Sequence, residues 1–265
     1  MKKYLVIGNP IDHSLSPQLH NYWIKNNNID AIYEREKLEN NDLENLVLKV
    51  KNKKINGVNV TVPFKKEVIP YLDILSPEAK ATKSVNTIYL KGNSTIGHNT
   101  DIGGFELAIK DTKYDLGGKK VLILGAGGVV SSLIFALKRM KVLEIILSNR
   151  TRAKAEDISN LFNNIAIVDW GEIPNFDMII NATSLGLNNN DEFNFDFSKL
   201  KKDKFFYDVI YNPKDTNFLK IARKFGNKTE NGKKMFIYQA AEAFKIWHGI
   251  DPEIDEATYE LLNKW

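Results

Sequence analysis

The chain has 265 residues, room for one or two domains at about 150 residues each. Apolar residues make up 43% and charged residues 26%, an ordinary globular balance, and a net charge of +4 points to no nucleic acid partner while suiting small anionic ligands. With no cysteine, disulfides, thiolate metal sites and a cysteine nucleophile are excluded, and with four histidines no metal cage is expected.

No apolar run reaches the roughly 18 residues of a membrane helix. Gly8, Asn9, Pro10 and Asp12 break the short run at 4–7 before a signal-peptide core forms, so a cytoplasmic protein is expected. Strand and helix patterns then alternate, which predicts an α/β fold with parallel sheets. Strands are expected at 4–8, 32–36 and 57–62, the last closed by Pro63, with helices at 17–26 and 43–53 between them. Strand-like runs follow at 84–90 and 95–97, and a helix begins near Asp101, capped by Thr100 or Asp101. A polar stretch at 111–119, with Gly117 and Gly118, reads as a hinge.

A second alternation starts at Lys120. Strands are expected at 121–124, 144–148, 166–168, 178–181 and 205–209, with helices at 129–140, 152–162, 235–248 and 252–263. The two alternations meet near residue 101, so an N-terminal α/β domain over 1–101 and a doubly wound domain over 102–232 are predicted, with a ligand in the interdomain cleft. Charge runs at 51–54 and 199–204 read as solvated faces.

The apolar strand 121–124 runs into Gly125-Ala126-Gly127-Gly128 and then a helix. That order suits a dinucleotide: a tight turn at Gly125, backbone approach to a pyrophosphate at Gly127, and free N–H groups with the helix dipole facing the anion. Val130 stands where the third glycine of the usual pattern would be, so a plain strand–helix turn stays open. A NAD site usually has an acid at the end of the next strand. Here that place reads Ser148-Asn149-Arg150-Thr151-Arg152-Ala153-Lys154, with three cations and no acid. A 2′-phosphate carries about −1.5 to −2 charge, and Arg offers it a planar fork of donors. NADP is therefore predicted over NAD, against the alternative of a solvated basic helix start.

The first half carries polar residues that packing does not demand. Ser16 before Pro17 has the pattern of an N-cap, whereas Ser14 has no such role and keeps its hydroxyl for a ligand. Asn59 and Thr61 alternate with valines, and Lys65 follows the strand end, where ligands of α/β sheets sit; a solvated lysine is the alternative there, as for Lys66. Val85-Asn86-Thr87 and Asn99-Thr100-Asp101 add further polar groups, with Asp101 open to either a capping or a chemical role and His98 expected at the surface. Gln239 lies on the apolar stripe of the helix at 235–248, where it meets either a backbone group or a polar ligand.

In order along the chain, Gly8-Asn9-Pro10, His13-Ser14-Leu15-Ser16-Pro17, His20-Asn21, Asn59-Val60-Thr61-Val62-Pro63-Phe64-Lys65, Val85-Asn86-Thr87 and Asn99-Thr100-Asp101 are joined by the glycine turn, Asn149-Arg150-Thr151 and Asn181-Ala182-Thr183-Ser184-Leu185-Gly186. Asp208-Val209-Ile210-Tyr211-Asn212-Pro213, Asn231-Gly232-Lys233-Lys234-Met235 and Gln239-Ala240-Ala241 complete the series. The set resembles the shikimate/quinate dehydrogenase family over nearly the whole chain. The resemblance implies a reversible NADPH-dependent reduction of 3-dehydroshikimate to shikimate, in the route to chorismate and the aromatic amino acids.

It also implies roles. Lys65 and Asp101 form the catalytic pair, and Ser14, Ser16, Thr61, Asn86 and Gln239 hold the substrate. Gly125, Ala126, Gly127, Gly128, Asn149, Arg150, Thr151, Lys154 and Thr183 hold NADP, while Tyr211 and Gly232 line the junction of nicotinamide and substrate. C-terminal helices over 233–265 fold back to complete the first domain. The departures are Lys83-Ser84, where the family usually has Gly-Ala, and Ser131-Ser132 after the glycine turn. Lys65 leads as general acid, closure over the cleft is expected because it excludes water, and the protein works as a monomer or homodimer.

Two other readings stand beside this one. A dehydrogenase accepting quinate as well as shikimate, often with NAD, fits the polar residues but not the basic strand end. A non-catalytic NADP(H)-sensing module would need no Lys–Asp pair and would usually carry a binding appendage, and neither a helix-turn-helix stretch nor an aromatic-laced basic patch is present.

Overall fold

The computed structural model describes residues 1–188, 191, 193, 195–197 and 202–263. The run at 199–204 therefore lies partly outside the described residues; that at 51–54 is exposed throughout. The chain divides into two compact units, Met1–Gly104 with Ile237–Trp265, and Phe105–Phe236.

In the first unit the strands are β1 (Lys2–Gly8), β2 (Ala31–Lys37), β3 (Gly57–Val60), β4 (Ile74–Leu75), β5 (Thr87–Lys91) and β6 (Ser94–His98). They form one sheet in the order β2-β1-β3-β5-β6-β4, with β1 parallel to both neighbours and β5 antiparallel to β3 and β6. Helices α1 (Ser16–Asn26), α2 (Leu43–Lys51), α3 (Pro77–Thr82) and the start of α4 (Asp101–Asp111) complete the first segment. Leu46, Val47 and Val50 of α2 join Leu5, Ile7, Val58 and Val60 in one buried cluster, each side chain contributing about 1.5–3 kcal/mol.

A second, aromatic cluster ties the C-terminal segment to this sheet. Trp247 and Phe244 belong to α8 (Lys233–His248). The Trp247 indole N–H donates to the Ile88 carbonyl at 3.2 Å, and a Cβ on Gly57 would lie 2.3 Å from that nitrogen, so only glycine fits under the ring. Trp23 of α1 donates to the Glu253 carbonyl at 3.1 Å, ahead of α9 (Glu256–Leu261).

His20 sits inside this cluster, stacked on Tyr33 with centroids 4.2 Å apart and edge-on to Trp23 at 5.7 Å. Neither ring nitrogen has a hydrogen-bond partner among the described residues. Burial, with a smaller effect of His248, pushes its pKa down to about 3, so the folded protein holds it neutral. The unfolded chain takes up that proton near pH 6.5, so this contribution to stability is complete above 6.5 and drains away as pH falls toward 3, at up to about 1.4 kcal/mol per pH unit. Urea midpoints measured from pH 7 to 4 are expected to fall steeply for the native protein and less steeply for His20→Phe. Equal slopes would place the proton uptake elsewhere.

The second unit is a six-stranded parallel sheet of β7 (Lys120–Leu124), β8 (Glu144–Ser148), β9 (Ile165–Val168), β10 (Met178–Asn181), β11 (Phe205–Asp208) and β12 (Lys228–Glu230). The order is β12-β11-β10-β7-β8-β9. Taken from β7, this is the doubly wound order 3-2-1-4-5-6, whose direction reverses between β7 and β10. Helices α5 (Val130–Arg139), α6 (Arg152–Ser159) and α7 (Asn217–Lys224) lie in the connections. The central strands β7, β10 and β11 are buried almost throughout, as a sheet covered on both faces requires.

Several elements depart from the expected ranges. The helix expected at 43–53 ends at Lys51, because Lys53 adopts a left-handed φ of 60°. The one expected at 152–162 ends at Ser159. The last helix starts at Glu256 rather than 252, where the Asp255 carboxylate accepts from the Thr258 N–H at 2.8 Å. The strand expected at 84–90 begins at Thr87. Helices α3 and α7 and strands β4 and β12 were not anticipated, although Ser76 and Thr216 cap the two helices through their side chains. No described helix is long and apolar enough to cross a membrane.

Candidate active site and dinucleotide cavity

In the first unit, Lys65 lies in the turn after β3 and Asp101 is the first residue of α4. The Lys65 Nζ is 2.6 Å from Asp101 Oδ2, and the side chains are only 13% and 8% exposed. A carboxylate at a helix start is favoured by the helix dipole, and this one has a second donor, Asn86 Nδ2, 2.9 Å from Oδ1. Both Asp101 oxygens thus face side-chain donors from other parts of the chain. The Asn99 side chain holds the turn by accepting from the Asp101 N–H at 3.1 Å. Lys66 is exposed, as expected.

The capping role expected of Ser16 is not met. Leu15, not Ser16, occupies the N-cap position of α1, and no side chain caps it. Ser14 Oγ accepts from the Ser16 N–H at 3.3 Å, so Ser14 serves the turn and its hydroxyl is not idle. Ser16 is buried with its hydroxyl against that of Tyr33. Thr61 is half-buried after β3, its methyl placed 2.7 Å from where a Cβ on Gly8 would stand. Gln239 is half-buried on α8. His98 is not at the surface: it is 18% exposed, with Nε2 3.3 Å from Glu242 Oε1. Lys65 and Asn86 therefore each contact Asp101 directly, and Ser14, Ser16, Thr61 and Gln239 belong to the same unit.

In the second unit a cavity of about 500 Å³ opens at the C-terminal ends of β7, β8 and β10. Gly125, Ala126, Gly127, Asn149, Arg150, Thr151, Lys154 and Thr183 line it. Gly125 has φ +111°, and a Cβ there would lie 2.7 Å from the Ala182 carbonyl oxygen. Gly127 differs: the nearest chain atom to a Cβ would be 3.9 Å away, so nothing in the protein explains its bareness and the space beside it faces the cavity. An open glycine cradle beside Arg150 and Lys154 fits a dinucleotide with an extra phosphate.

The third expected cation does not contribute. Arg152 is held on the outside by Glu156 at 3.1 Å and Asp169 at 2.5 Å. The Thr183 hydroxyl is also committed, donating to Asn181 Oδ1 at 2.7 Å and accepting from the Leu185 N–H at 3.0 Å. This turn is anchored on Asp208, which accepts from Asn181 at 3.0 Å and from the Thr216 hydroxyl at 2.6 Å; burial raises its pKa to about 6 against those donors. Gly128 follows Gly127 in the glycine turn after β7. Tyr211 stacks on Phe236 at 4.4 Å, and a Cβ on Gly232 would lie 2.1 Å from the Val209 carbonyl oxygen, so these two mark a second spot in this unit, away from the cavity lining.

Three family models match the chain in order: the shikimate dehydrogenase substrate binding domain over 6–88, the shikimate/quinate 5-dehydrogenase over 106–218, and the shikimate 5′-dehydrogenase C-terminal domain over 234–258. A shikimate dehydrogenase (NADP(+)) of Pelagibacter ubique is 57% identical over 262 residues, covering 99% of each chain. The chain belongs to the shikimate dehydrogenase family. A second relative of the same description, from Staphylococcus haemolyticus, is 40% identical and covers 99% of this chain and 98% of its own. The Thermus thermophilus shikimate 5-dehydrogenase solved with NADP(H) and shikimate is 30% identical, covers 100% of this chain and 99% of its own, and superposes with a TM-score of 0.91.

Within the family fold, four cavity residues escaped the sequence reading: Trp170, Ala182, Ser184 and Leu185. The last three flank Thr183 in a motif that was recognised, so extending that assignment by two residues would have found them. Trp170 follows β9 between Asp169 and Gly171, a turn with nothing that marks a ligand, and its place against Phe195 at 4.9 Å is a tertiary fact.

Proposed function

We propose that the protein catalyses the reversible NADPH-dependent reduction of 3-dehydroshikimate to shikimate, with Lys65 and Asp101 as its catalytic pair. The observation that carries this reading is the buried contact of 2.6 Å between an ammonium and a carboxylate, with an amide on the carboxylate's other oxygen. NADP supplies the hydride exchange when bound. In the direction of reduction, the Lys65 Nζ gives its proton to the carbonyl oxygen as that oxygen gains charge; in oxidation it takes the proton from the hydroxyl. Asp101 holds Nζ in place, so the lysine is not free to wander among rotamers. Ser14, Ser16, Thr61, Asn86 and Gln239 are assigned to the substrate's hydroxyls and carboxylate, and Tyr211 and Gly232 to the nicotinamide end.

Arg150 and Lys154 are assigned to the 2′-phosphate, with Gly125, Ala126, Gly127, Gly128, Asn149, Thr151 and Thr183 around the rest of the dinucleotide. Nothing in this assignment is borrowed from a second copy, so the reading holds for a monomer and for a homodimer. Absorbance at 340 nm, with shikimate or quinate crossed with NADP or NAD, tests it. The expected result is fastest turnover with shikimate and NADP. Quinate or NAD used equally well would instead favour the broader dehydrogenase, and NADP binding without turnover of either acid would favour a sensing role.

A further inference from the structure

A run of hydrogen bonds leads through the first unit to Asp101, with Thr100 Oγ1 branching from it at Asn86 (2.9 Å) and Thr87 (3.4 Å). The Asn59 amide nitrogen is 3.1 Å from the Asn86 main-chain carbonyl, which only accepts, so Asn59 Oδ1 must face the other way. There it meets the Tyr33 hydroxyl at 2.7 Å, and Tyr33 must donate. The same Asn59 nitrogen donates to Thr87 Oγ1 at 3.1 Å, which leaves the Thr87 proton for Asn86 Oδ1 at 3.0 Å. Asn86 Oδ1 also accepts from the Thr100 N–H at 2.8 Å, so the Asn86 nitrogen is the atom turned toward Asp101. Every link thus donates in one direction, from Tyr33 to the carboxylate. Bonds aligned in this way polarise and stiffen one another in a dry interior, and Tyr33, Asn59, Asn86, Thr87 and Asp101 are all buried.

We propose that Tyr33 is a positioning residue for the reaction, acting on Asp101 through Asn59, Thr87 and Asn86. The inference rests on Lys65 and Asp101 being the catalytic pair. The Tyr33 ring is clamped flat against His20, with only 2° between their planes, so its hydroxyl has one direction to take. The same hydroxyl touches that of Ser16, so a residue assigned to the substrate stands at the head of the run. Tyr33 itself is the third residue of β2.

The test uses Tyr33→Phe and Thr87→Val, each made alone and in an Asp101→Asn background. Thr87→Val leaves Ser16 and Tyr33 untouched and cuts the run in its middle, so it also carries the test if Tyr33→Phe does not fold. Each single variant is expected to lower kcat about tenfold, with the shikimate KM for Thr87→Val within about twofold of native. In the Asp101→Asn background the same changes are expected to have less than about a twofold effect, because the link they act through is already broken. Native kcat in both variants, or an undiminished tenfold loss on top of Asp101→Asn, overturns the proposal. Asp101→Asn turning over at the native rate overturns instead the assignment of the catalytic pair on which it stands.

Discussion

Lys65→Ala is expected to lower kcat by about two to four orders of magnitude while moving the shikimate KM by no more than severalfold, since a positioned proton donor acts mainly in the transition state. Alanine leaves Asp101 with Asn86 as its remaining side-chain donor, at the start of α4, so the carboxylate is still partly compensated and the fold should persist. Lys65→Arg separates two roles that alanine removes together. Arginine keeps the positive charge and can pair with Asp101, but it does not give up a proton at working pH. Steady-state rates near alanine's for Lys65→Arg would mean that proton transfer is the contribution; rates near native would reduce Lys65 to an electrostatic one. A rise in KM alone in Lys65→Ala would make it only a substrate-binding residue.

Arg150→Ala is expected to weaken NADP about ten- to a hundredfold and to leave NAD nearly unchanged. A hydrogen bond to a charged group is worth about 1.5–3 kcal/mol, and each 1.4 kcal/mol is tenfold in affinity. Arg150 is exposed, so the lower half of that range applies and the effect should shrink with added salt. Calorimetric titration with 2′,5′-ADP, which lacks the nicotinamide, reads the same contact without turnover. A comparable loss for NAD would show that Arg150 acts on something other than the 2′-phosphate. Arg152→Ala serves as the internal contrast: with its guanidinium held by Glu156 and Asp169, it should change neither cofactor appreciably.

The second unit was the more legible of the two. Its strands at 144–148 and 178–181 fall where the apolar runs placed them, because a strand covered on both faces carries its burial in composition. Glycine spacing found the cavity, since Gly125 needs a φ that other residues resist. Short elements were less visible. The helix of six residues at Pro77–Thr82 and the strand of two at Ile74–Leu75 are too brief for a period to emerge.

In the first unit, chemistry was legible from residue types but not their local roles. Ser16 before Pro17 has every mark of a cap, yet tertiary contact with Tyr33 claims its hydroxyl and Ser14 holds the turn instead. Arg150, Arg152 and Lys154 look alike in sequence; Glu156 one turn on and Asp169 beyond β9 separate Arg152 from the other two. His98 shows the same limit, since Glu242 lies 144 residues away.

The first unit is assembled from two separated stretches, Met1–Gly104 and Ile237–Trp265, whereas the second is continuous. During synthesis the ribosome therefore releases the opening hundred residues long before the indole that seats on Gly57 has been made. The middle of the polypeptide can close its own sheet first, reversing the usual order in which nascent domains mature. Until then the first sheet lacks the Phe244 and Trp247 rings that complete its aromatic cluster.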